Sequence, residues 1–135
     1  EPLCPAPAPP HALLARIVQG AYQLATDFAK ANPDGRFVMA GSSDLFGPLW
    51  TRYRIDESWR PRPQPDAQRL FPYLAEQSLR EVARVTGLSA ICLRMGEIVQ
   101  DDRTAREPGD GRWLHMDDAV AALNLALRGC LTILC

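Results

Sequence analysis

Phe71-Pro72-Tyr73-Leu74-Ala75-Glu76-Gln77-Ser78-Leu79-Arg80-Glu81 is the stretch around which the chain is organised. Proline is well placed at a helix start, and Leu74, Ala75, Leu79, Val82 and Ala83 recur at helical intervals. The stretch therefore predicts a helix running from Pro72 to a terminating glycine, Gly87. Tyr73, Gln77 and Glu81 are spaced four apart and lie along one stripe of it. A phenol at the mouth of a helix, met by Ser42 from the end of an earlier strand, makes an acid/base pair for a hydroxyl or carbonyl substrate.

Upstream, Phe37-Val38-Met39-Ala40 is a short apolar run that stops at Gly41-Ser42-Ser43, which predicts a buried strand with a polar tip. Before it, Leu13, Leu14, Ile17, Val18, Ala21, Leu24, Ala25 and Phe28 mark an amphipathic helix over His11 to Lys30, closed by the turn Asn32-Pro33-Asp34-Gly35. Residues 1–10 read as a proline-stiffened extended arm, leaving 11–135 as one domain. Asp44 to Pro72, with five prolines, Trp50, Trp59 and several arginines, is expected to be a long loop.

Downstream, Leu88 to Leu93 predicts a second buried strand capped by Arg94-Met95-Gly96-Glu97, followed by a polar, turn-rich stretch from Gln100 to Gly111. Asp117 and Asp118 open a helix through Val120, Leu123 and Leu127 to Arg128, charged at both ends as its dipole favours. Cys130 to Cys135 reads as a third strand. Helices and strands in alternation predict an α/β fold with a parallel sheet and crossover helices, about three of each.

Composition narrows the function. Fifteen basic against sixteen acidic residues leave a formal charge of −1, with no electrostatic footprint for nucleic acid or anionic lipid. Apolar runs such as Ala119 to Leu127 are far shorter than the roughly 20 residues that span a bilayer. The first ten residues lack the cationic start and apolar centre of a secretory signal. Cys4, Cys92, Cys130 and Cys135 form no metal-binding pattern with His11 or His115, and read as reduced structural thiols of a cytoplasmic protein; a Cys130–Cys135 disulfide is the alternative.

Several of these stretches resemble the extended short-chain dehydrogenase/reductases, the NAD-dependent epimerase/dehydratase family, in that family's order. Val18 to Leu24 resembles the helix before the active-site strand, and Phe37 to Gly47 resembles that strand and its serine motif. Tyr73 to Glu81 is similar to the tyrosine helix, Gly87 to Ile98 to the next strand and cofactor loop, and Trp113 to Val120 to the segment before the last large helix. The compact interval between Ile98 and Trp113 looks like the uronate dehydrogenase branch.

The resemblance implies a partial Rossmann-like sheet, NAD or NADP as cofactor, and a sugar or sugar-nucleotide as the small-molecule substrate. It makes Tyr73 the acid/base, Ser42 its hydrogen-bonding partner and Gln77 the third catalytic position. Gly41, Met95, Gly96 and Glu97 would lie against the cofactor, and Ser43 and Asp44 against the substrate. It also implies a homodimer through the His11 and Tyr73 helices.

Two departures matter. The family has a lysine four residues after the tyrosine, where this chain has Gln77. A unit charge about 4 Å from the phenol is worth roughly 4 kcal/mol at an effective dielectric of 20, or about three pKa units. A free tyrosine, with a pKa near 10, is a poor base at neutral pH without it. The glycine-rich phosphate loop is also absent, so the adenosine half of the cofactor has no visible site. The chain reads as the middle of a larger domain, with catalysis impaired as it stands. A non-catalytic binding or scaffold relative, or a truncated fragment, is the alternative. Plainer roles stay open too: Tyr73 as a cap packed on Pro72, Ser42 and Ser43 as turn caps, His115 as a satisfied core histidine, Asp117 and Asp118 as helix-terminal charges.

Overall fold

The computed structural model describes residues 9–100 and 113–128, apart from the side chains of residues 48, 50, 51 and 68. Within them lie three α-helices and four strands. They are α1 (Pro10–Ala31), β1 (Arg36–Ser42), a 3-10 segment (Ser43–Thr51), α2 (Ala67–Thr86), β2 (Ser89–Met95), β3 (Glu97–Val99), β4 (Trp113–His115) and α3 (Met116–Arg128).

Strands β1 and β2 are parallel, with Phe37 opposite Ala90, Met39 opposite Cys92, Gly41 opposite Arg94 and Ser42 opposite Met95. The period-2 alternation of a strand then sorts the side chains between the two faces of the sheet. Phe37, Met39 and Ala90 pack with Ala25, Leu79 and Val82, which puts α1 and α2 together over one face. Ala25 is fully buried, and its small side chain lets the two helices approach closely. Burying Leu79 at 3% exposure contributes on the order of 2 kcal/mol. Phe28 meets Phe37 edge to face at 5.4 Å, fastening α1 to the first residues of β1.

Helix α3 contacts both strands, and its Ala119 and Ala126 are buried. Arg36 Nη1 donates to the Ala126 carbonyl at 3.1 Å, satisfying an acceptor in the last turn of α3 with a cation, as the helix dipole favours. Strands β3 and β4 make a second, short parallel pair, Glu97 opposite Trp113.

The result is a partial Rossmann-like α/β fold, and in several places it corrects the expectations drawn from the sequence. Helix α2 starts at Ala67, not Pro72, because Asp66 caps it: Asp66 Oδ1 accepts from the Arg69 amide at 3.0 Å. Pro72 lies inside the helix, where its ring leaves the carbonyl four residues back without its usual amide partner. The long loop is shorter than expected, since Ser43–Thr51 is a 3-10 segment kinked at Gly47 (φ 54°). Strand β2 runs on through Arg94 and Met95, and Glu97 begins β3 rather than finishing a cap. The expected strand at Cys130 to Cys135, the Cys130–Cys135 disulfide and the proline arm up to Ala8 lie outside the described residues. No helix among the described residues is long and apolar enough to cross a membrane.

Candidate active site

The β1–α2–β2 crossover gathers the sequence-predicted residues at one end of the sheet. Parallel pairing sets Gly41 and Ser42 beside Arg94 and Met95 at the carboxyl ends of their strands. The chain leaves β1 there, so the start of α2, with Tyr73 in its second turn, belongs to that same end. Ends of this kind, in open α/β sheets, are where ligands bind.

Ser42 caps the 3-10 segment, its Oγ accepting from the Asp44 amide at 3.1 Å. A hydroxyl carries two acceptor lone pairs and one donor, so this cap orients the oxygen while leaving its O–H to be donated elsewhere. The turn-cap reading of Ser42 therefore holds and is compatible with a hydrogen-bonding role toward a ligand. Ser43 is buried at 4% exposure and Asp44 is exposed. Leu45 and Phe46 behind them are buried and anchor the strand tip in the core.

Tyr73 and Gln77 are both half-buried on α2, one helical turn apart, while Glu81 on the same stripe is exposed. Gly41 comes so close to its neighbour strand that an added Cβ would lie 2.9 Å from Cys92 Sγ. Met95 and Gly96 are half-buried at the β2–β3 junction, and Glu97 is exposed. His115 caps α3: its Nδ1 accepts from the Asp117 amide at 3.2 Å, with an Asp117 carboxylate oxygen 3.5 Å away.

One pair in this region was not foreseen. Arg94 Nε donates to Glu76 Oε2 at 3.0 Å, and its Nη2 donates to Glu76 Oε1, a bidentate pair with the Glu76 side chain 4% exposed and the Arg94 side chain 18%. The Arg94 guanidinium also lies over the Phe46 ring, 5.4 Å from its centre. The signal was present in the sequence: at helical spacing Glu76 falls between Ala75 and Leu79 on the inward face, a place where a carboxylate requires a partner.

Among solved structures, a mutated uronate dehydrogenase superposes with a TM-score of 0.71 at 23% sequence identity, over 91% of this chain and 43% of that one. The two share a fold. The chain thus spans less than half the length of that dehydrogenase. No protein-family model and no curated protein sequence matches the chain.

The residues fit the nicotinamide half of a dinucleotide in part. A phenol, an oriented hydroxyl and a glycine at a strand end are present, whereas an uncharged amide, Gln77, occupies the position one turn beyond the phenol. The 135 residues contain no glycine-rich phosphate loop for the other half.

Proposed function

We propose that the chain is the active-site portion of an NAD(P)-dependent dehydrogenase of the extended short-chain dehydrogenase/reductase family, acting on a uronate or related sugar. The observation that carries the reading is the shared fold with a uronate dehydrogenase, combined with Tyr73 in the second turn of α2 and Ser42 at the tip of β1. A bound nicotinamide supplies the hydride acceptor. In its phenolate form Tyr73 would take the proton of the substrate hydroxyl at Oη, and the Ser42 O–H would donate to the same oxygen. Ser43 and Asp44 would contact the substrate, and Gly41, Met95, Gly96 and Glu97 would hold the cofactor. The protein works in the cytoplasm as a homodimer paired through α1 and α2.

Gln77 favours a second reading, in which the scaffold binds without turning over. An amide donates a hydrogen bond but contributes no charge to a phenolate, so the roughly 4 kcal/mol of a neighbouring cation is lost.

Nicotinamide cofactor binding and uronate oxidation by the natural gene product test both. We expect NADH to bind, turnover to be slow in the native sequence and faster by at least about tenfold in Gln77→Lys, and Tyr73→Phe to abolish it. Binding without turnover in both native and Gln77→Lys proteins supports the second reading, and absence of nicotinamide binding removes the first.

A further inference from the structure

The three segments that hold the candidate site residues are far apart in sequence: Ser42 to Phe46, Tyr73 to Gln77, and Arg94 to Gly96. A single side chain touches all three. Arg94 stands at the end of β2, forks onto Glu76 of α2 and covers the Phe46 ring that follows the tip of β1. Glu76 is three residues from Tyr73 and adjacent to Gln77, so holding its carboxylate sets both the rotation and the axial position of the turn that carries the phenol.

We propose that Arg94 is a positioning residue, clamping α2 through Glu76 and the β1 tip through Phe46 so that the Tyr73 phenol is aligned with Ser42. That Tyr73 transfers a proton beside Ser42 rests on the proposed function; the contacts of Arg94 with Glu76 and Phe46 do not.

The physical case is one of direction against energy. A bidentate guanidinium–carboxylate pair is planar and strongly directional, whereas the burial of Phe71, Ala75, Leu79 and Val82 on the same helix is non-directional. Buried pairs of this kind add little net stability over well-packed apolar residues of the same volume, because both charges lose their hydration. Exchanging both partners for apolar side chains therefore keeps the fold and removes the directional constraint.

The test uses the full chain carrying tyrosine labelled with 13C at Cζ. Its three tyrosines are Tyr22, Tyr53 and Tyr73, and Tyr73→Phe assigns the signal of interest. Tyr22, 53% exposed on α1, is the internal reference. Arg94→Met alone strands a buried carboxylate and is expected to unfold readily, so the informative variant is the double exchange Glu76→Leu with Arg94→Met.

The expected result is a cooperative thermal transition near that of the native chain, an unmoved Tyr22 resonance, and a Tyr73 resonance that shifts and broadens or splits. A Tyr73 resonance unchanged in the folded double variant overturns the proposal. So does failure of the double variant to fold, which would make the pair a support of the whole structure. Neither readout needs cofactor or substrate, so absence of dehydrogenase activity would not be mistaken for absence of the clamp.

Discussion

The Cβ that Gly41 lacks would sit 2.9 Å from Cys92 Sγ on the adjacent strand, closer than the two atoms can approach. The pairing of Gly41 with Arg94 thus depends on a side chain being missing at one strand and filled by its diagonal neighbour from the other. Gly41→Ala is expected to cost about 1–3 kcal/mol, the usual range for overpacking a core. Cys92→Ala removes the offending sulfur, so the double variant should recover at least half of that loss. A double-mutant cycle in urea reads the coupling directly; additivity of the two changes would show that the contact is not the cause.

Pro72 and Asp66 act in opposite directions on the same helix. Pro72→Ala restores an amide donor inside α2 and should raise stability by about 1 kcal/mol or more, part of the gain being offset by a freer unfolded chain. Asp66→Ala removes the cap on the Arg69 amide and should lower it by about 1 kcal/mol. Denaturant midpoints of the two single variants check both signs. A neutral Pro72→Ala would mean that α2 does not extend upstream of the proline.

Asp56 carries a pH signature of its own in the loop between the 3-10 segment and α2. Its Oδ1 accepts from the Ser58 hydroxyl at 2.6 Å and from the Ser58 amide at 2.9 Å; the hydroxyl contact foremost holds its carboxyl below the ordinary aspartate value of 3.8, with Arg54 assisting. A carboxyl depressed in the folded state contributes stability that is fully present above its unfolded value and lost as pH falls through the lower folded one. The effect is confined to acid below about pH 4 and leaves neutral stability untouched. Carboxyl 13C titration should find Asp56 below 3.8 in the native chain and closer to it in Ser58→Ala.

Much of the fold was legible one residue at a time. The three-to-four spacing of Leu13 through Phe28 defines α1, Phe37 to Ala40 and Leu88 to Leu93 mark the paired strands, and Gly87 ends α2 in the left-handed conformation (φ 75°) that glycine adopts without strain. The start of α2 differs from the expected Pro72 because proline is a strong local signal, while the stabilisation that overrides it is distributed over the Asp66 cap and the burial of Phe71, Ala75 and Leu79. Strands β3 and β4 are three residues each, too short to show a period, and they exist through pairing across a sequence gap.

Legible along the chain alone are the groups at the strand end and on the helix stripe: the hydroxyl of Ser42, the phenol of Tyr73 and the uncharged amide of Gln77. Those are properties of side-chain type and spacing along one helix or one strand end, set by the local geometry of the backbone. The pairing of Arg94 with Glu76, and the placing of Phe46 beneath the same guanidinium, are set by the folded arrangement. The partners are separated by 18 residues in one case and by a whole crossover in the other. No local period couples such positions; burial does, because a carboxylate taken out of water at 4% exposure must find its counter-charge wherever the fold brings one.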